Sequence, residues 1–109
     1  MKKLSDEEKR LINFLPLGDE KPIPAKELAR LMNTDSRYIR NLINHLITTY
    51  NIPIGAKNNR PNGYFIITNE AERTIALAPL LSQTRELAKR IDAISNTQLI
   101  QNKKAVNAN

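Results

Sequence analysis

Apolar residues recur at helical spacing along the first half of the chain, and proline, glycine and asparagine break the pattern. Residues 5 to 15 open with Ser5 and carry Glu8 three positions later, a capping box. Asp6, Glu7 and Glu8 suit the positive end of a helix dipole. Leu4, Leu11, Ile12, Phe14 and Leu15 supply the apolar side, and Pro16 and Gly18 end this first helix. In the loop "GDEKPIP", Ile23 is placed for a very short strand, and Pro24 suits the first position of a second helix. "AKELARLM" then puts Ala25, Leu28, Ala29 and Met32 on one face. Asn33 is a residue that tolerates a left-handed turn. Asp35 or Ser36 caps a third helix reaching to about Thr49, in which Ile39, Leu42, Ile43, Leu46 and Ile47 follow the i, i+3, i+4, i+7 rule.

The pattern then changes period. Two short β-branched and aromatic runs, "IPIGA" and "YFIIT", read as strands, with Pro53 placing the first at a sheet edge. Between them Lys57 to Gly63 is longer than a tight hairpin turn requires, and none of its residues is acidic. From Asn69 the pattern is helical again, with Thr68 or Asn69 as cap and Glu70 and Glu72 in the first turn. Pro79 is expected to kink or restart this helix. Leu77, Leu80, Thr84, Leu87, Ile91 and Ile94 alternate spacings of three and four, an a/d seam widened by Leu81 and Ala88. "QNKKAVNAN" is polar, as a frayed tail is. The expected fold class is α+β and mostly helical: three helices and a hairpin in residues 1–69, a C-terminal helix in 70–98 and a disordered tail in 99–109.

Composition removes several function classes. The 109 residues suffice for one modest core. The absence of cysteine excludes disulfides, zinc knuckles and thiol catalysis, and His45, the single histidine, leaves no histidine cluster for a metal. The three glycines stand too far apart for a phosphate-binding loop, and no nucleophile–histidine–acid set is present. No enzyme activity, cofactor or small-molecule effector is therefore expected, and Glu7/Glu8 and Asp19/Glu20 are explained by capping and surface charge. The opening "MKKL" has the start of a signal peptide, but "SDEEKR" follows where an apolar segment belongs. No apolar run approaches the roughly 20 residues that span a bilayer, so a cytoplasmic protein without a membrane partner is expected.

Charge adds direction. The net charge is +6 and the pI is about 9.8. From Ser36 to Asn69 there is no Asp or Glu, whereas Arg37, Arg40, Lys57 and Arg60 all fall there. Such segregation favours a polyanionic partner.

The segment "AKELARLMNTDSRYIRNLINHL" resembles a helix-turn-helix: Ala29 is small where two helices cross, Asn33 turns the chain, and Ile39 and Leu42 lock the second helix to the first. Many helix-turn-helix proteins carry glycine where Asn33 stands. With the strand–loop–strand of residues 52 to 68, residues 5 to 68 resemble a winged helix-turn-helix DNA-binding domain. The resemblance is to the small biotin-repressor-type winged helices of bacterial and phage regulators. It implies a third helix that enters the major groove and a wing lying along the minor groove or backbone beside it. Biotin repressors continue into a large ligase domain, and here only about 40 residues follow the wing.

The residues themselves support double-stranded DNA as partner. The outer face of the third helix presents Ser36, Arg37, Arg40, Asn41 and Asn44, and Arg pairs bidentately with guanine as Asn does with adenine. Tyr38 is placed either to reach a phosphate or to pack on the first helix. His45 reads as a polar surface group near the helix end. In the wing, Lys57 and Arg60 bring charge, Asn58, Asn59 and Asn62 bring short donors, and Pro61 and Gly63 shape the loop. The seam of Leu77, Leu80, Leu81, Thr84, Leu87, Ala88, Ile91 and Ile94 either zips two copies into a homodimer or folds back on its own domain, since an isolated helix of this length is marginal in water. A winged-helix protein-interaction adaptor without specific DNA binding is the alternative of a different class. RNA binding lacks an aromatic platform, because the neighbours Tyr64 and Phe65 point to opposite faces of a strand.

Overall fold

The computed structural model describes residues 3–104; of the disordered tail expected at 99–109, residues 105–109 lie outside the described residues. The fold is α+β and mostly helical. Helices α1 (Asp6–Phe14), α2 (Ala25–Leu31) and α3 (Ser36–Tyr50) precede strands β1 (Ile54–Lys57) and β2 (Gly63–Ile66), and α4 (Glu70–Asn96) follows. The chain divides into two compact units, Met1–Pro79 and Leu80–Asn109.

Local chemistry sets the helix ends. Ser5 caps α1, its hydroxyl accepting from Glu8 N at 3.1 Å while the Glu8 carboxylate accepts from Ser5 N at 2.7 Å. That backbone hydrogen bond from Ser5 is the main reason the Glu8 pKa lies below the ordinary glutamate value. Pro24 is the N-cap of α2 rather than its first residue: at φ −66° and ψ 153° it is extended, and its carbonyl accepts from Glu27 N and Leu28 N. Asn33 takes φ 55°, and Asp35 caps α3 by accepting from Tyr38 N at 2.8 Å. A second left-handed asparagine, Asn51 at φ 56°, ends α3 with its N–H on Ile47 O at 3.1 Å.

In the first unit the core forms where the helices meet: Leu11, Leu15, Ala25, Leu28, Ala29, Ile39, Ile43, Leu46 and Ile54 are buried. β1 and β2 pair antiparallel, Ile54 opposite Ile66 and Lys57 opposite Gly63. Both strands are displaced from the runs that suggest them, because Pro53 stays outside β1 and Gly63 joins β2. The outer edge of β2 is covered by the loop after α1. Ile23 bridges Tyr64 through two backbone hydrogen bonds of 2.8 and 2.9 Å, and Gly18 N donates to Ile66 O at 2.9 Å. Gly63 is required at this junction: its φ is +139°, and a Cβ there would stand 2.4 Å from the backbone of Ile23.

α4 begins inside the same unit. Asn69 caps it, accepting from Glu72 N at 2.9 Å. The Glu72 carboxylate is buried and accepts from Thr68 N at 2.7 Å, Thr68 Oγ1 at 2.8 Å and Asp19 N at 3.3 Å. These donors, Thr68 N first, hold its pKa below the ordinary value. The carboxylate thus fastens the loop at Asp19 to the start of α4. Ala76, one turn on, packs by Gly55 and the fully buried Phe65.

Pro79 neither ends nor restarts α4, which runs unbroken to Asn96. The N–H that proline lacks would have met the carbonyl of Ile75, so the helix continues with one backbone hydrogen bond fewer. In the second unit every described residue, Leu80 to Lys104, is exposed.

Candidate nucleic-acid interface

The apolar stripe of α3 decides what its other side presents. With Ile39, Ile43 and Leu46 buried, the opposite stripe is Arg37, Asn41, Asn44 and Thr48, one step of three or four apart. All four are exposed. Arg40 is exposed on one flank, next to the half-buried Ser36 at the helix start. Among the described residues no ion pair engages Arg37 or Arg40, so their guanidinium donors face solvent. Thr48 belongs to this stripe although its sequence neighbours "HLITTY" do not draw attention to it; its place four residues after Asn44 is the signal. Its hydroxyl donates to Asn44 O at 2.8 Å.

The other flank of α3 is different. The Tyr38 hydroxyl donates to the Glu7 carboxylate of α1, which raises the Tyr38 pKa. Of the two placements open to Tyr38, the structure has the one against the first helix. His45 lies 3.9 Å from the buried Glu8, meets Tyr50 edge-on at 5.7 Å and has Thr49 Oγ1 at 3.2 Å from Nδ1. Carboxylates of α1 therefore line this side of α3.

In the β1–β2 loop, Asn58, Asn59, Arg60, Pro61 and Asn62 are all exposed, and no described ion pair involves Arg60. Lys57 is set apart from them. It closes β1, is half-buried, and its Nζ lies 3.8 Å from an Asp19 carboxylate oxygen. The acid-free run from 36 to 69 is thus not an acid-free surface: Glu7, Glu8 and Asp19, remote in sequence, return beside Tyr38, His45 and Lys57. No pattern in the sequence announces those three pairings.

The remaining features are modest. An open groove at the α2–α3 turn is lined by Lys26, Glu27, Arg30, Asp35 and Ser36, and there Glu27 and Arg30 neutralise one another across one helical turn. No group of three His, Cys, Asp or Glu side chains among the described residues could hold a metal ion. No described helix is long and apolar enough to cross a membrane. On α4, Leu77, Leu80, Leu81, Leu87, Ile91 and Ile94 are 44 to 69% exposed, and Thr84 and Ala88 lie exposed among them. The Thr84 hydroxyl donates to Leu80 O at 2.9 Å, so it carries its own partner. Comparison with known proteins finds no matching family model, no matching curated protein and no matching solved structure.

Proposed function

We propose that the chain is a small dimeric winged-helix protein that binds double-stranded DNA at specific sequences, acting as a transcriptional regulator or as a phage or plasmid accessory factor. The observation that carries this proposal is the exposed α3 stripe of Arg37, Asn41 and Asn44 flanked by Arg40, with no described acidic partner on either arginine. Arg and Asn are the side chains that pair bidentately with guanine and adenine, and a bare helix face is the form that fits the major groove. The winged-helix arrangement is supported by three helices followed by an antiparallel hairpin. In that arrangement the β1–β2 loop is the wing, with Arg60 as its phosphate contact and Asn58, Asn59 and Asn62 as short donors. Lys57, beside Asp19, contributes less than Arg60. Tyr38, engaged by Glu7, orients α3 rather than binding phosphate.

Two substitutions separate the roles. Arg40→Ala is expected to cost about 1–3 kcal/mol on the preferred sequence and to relax preference at one position. Arg60→Ala is expected to weaken binding to all sequences alike and to flatten the salt dependence by roughly 0.9 in log–log slope. Unchanged affinity and preference in Arg40→Ala contradict the assignment of α3 as the recognition helix.

A further inference from the structure

Several asparagines of this chain have identifiable work in the fold. Asn33 and Asn51 hold left-handed turns at φ 55° and 56°. Asn69 caps α4, and the Asn96 amide donates to Asp92. Asn41 and Asn44 do none of this. Both stand exposed in the interior of α3, and among the described residues neither side-chain amide makes a hydrogen bond. The Thr48 hydroxyl reaches Asn44 only at its backbone carbonyl. Asparagine is a poorer helix former than lysine, glutamate or glutamine, because its amide competes for nearby backbone groups. Two unengaged asparagines, three residues apart on the stripe that carries Arg37, point to a partner outside the chain.

We propose that Asn41 and Asn44 read two neighbouring adenines, so that each half-site of the DNA holds adjacent A·T pairs with a guanine toward the Arg37 end. This deepens the DNA-binding reading above and rests on it. In the major groove adenine alone sets a donor, its N6 amino group, beside an acceptor, N7. Guanine presents two acceptors there, cytosine a donor, and thymine an acceptor and a methyl group. A primary amide has an acceptor oxygen beside its donor nitrogen, so adenine is the base that satisfies both ends at once. Spacing sets the order. Three residues of helix rise about 4.5 Å, and stacked bases lie roughly 3.4 Å apart, so the two amides fall on successive base pairs. Arg37 lies about 6 Å before Asn41 along the same stripe. Its longer, donor-only side chain reaches past the adenines to the base that offers two acceptors.

The experiment begins with the sequence that the wild type enriches from a random duplex library. That duplex is then made with 7-deazaadenine at one or the other of the two adenines, which removes N7 and leaves base pairing intact. Each replacement is expected to weaken wild-type binding roughly tenfold. Asn41→Ala is expected to bind the natural duplex about as weakly and to lose nothing more from one of the two replacements. Asn44→Ala is expected to be indifferent to the other. Both positions are exposed, and thermal melts check that each variant is folded; if one is not, the other decides. An enriched site without neighbouring A·T pairs overturns this proposal and leaves DNA binding standing. So does full affinity for both 7-deaza duplexes, or full sensitivity to both replacements in a folded alanine variant. No enriched sequence at all overturns the DNA-binding reading and this proposal together.

Discussion

Helix α3 and the part of α4 beyond Pro79 carry the same kind of apolar repeat, and their surroundings are opposite. In α3, Ile39, Ile43 and Leu46 are 0 to 2% exposed. In α4, Leu80, Leu87, Ile91 and Ile94 are 51 to 69% exposed. Both stripes put their apolar residues on one side of a helix, since spacing alone determines which residues share a face. Spacing does not determine what covers that face. α3 is covered because a short turn at Asn33 folds α2 onto it, and Ala29 allows close approach. The described residues of α4 beyond Pro79 are exposed. The α3 stripe therefore stabilises the fold, and the α4 stripe is the one we propose for association.

The comparison can be broken most forcefully in the first unit. Phe65→Ala removes a fully buried ring and is expected to cost about 3–5 kcal/mol, read as a lower midpoint in chemical denaturation. A loss below about 1 kcal/mol would mean that the hairpin does not pack as described. Gly55→Ala comes next. A Cβ there would lie 2.8 Å from Phe65 Cζ and 2.9 Å from Ala76 Cβ, so overpacking of about 1–3 kcal/mol is expected in the same assay.

Acid should act on the first unit as well, and more gently. Glu8 and Glu72 have pKa values below those they hold when unfolded, so the folded state favours their ionised forms. Their stabilisation is complete above the unfolded value of about 4.3 and is lost as pH falls through the lower folded values. Thermal melts between pH 6 and 3 are expected to show a decline that Glu72→Gln reduces. An identical pH profile in that variant would remove Glu72 from the account.

The smallest effect on stability belongs to the distal helix. Leu87→Asp is expected to leave the first unit's unfolding free energy within about 0.5 kcal/mol, as surface substitutions do. The same variant is expected to convert dimer to monomer in light scattering. If it unfolded the first unit instead, the stripe would be covered by its own chain.

Much of this fold is legible in the sequence where a local rule applies. Ser5 with Glu8, Asn33 at its positive φ and Asp35 as cap follow from side chains acting on backbone within three residues. The hairpin is legible in existence but displaced at its ends, because pairing rather than composition sets where strands begin. Pro79 shows the opposite failure: a restart that the local rule allows does not occur, and the helix continues through it. On the candidate site, the exposure of Arg37, Arg40, Asn41, Asn44 and Arg60 agrees with helical geometry and loop composition. The burial of Lys57 beside Asp19 and the tie between Tyr38 and Glu7 do not follow from either. They depend on chain folding across 38 and 31 positions, which no periodicity encodes.

The most direct test of the central claim, that the open face of α3 reads DNA, is selection from a random duplex library at near-physiological salt. The bound fraction is sequenced for the wild type and for Arg40→Ala. The account predicts an enriched inverted repeat with half-sites about 34 Å apart, one DNA turn, and lost preference at one position of each half-site in the variant. No enrichment, with binding that vanishes as salt rises, would contradict it and leave the exposed arginines as a nonspecific charge effect.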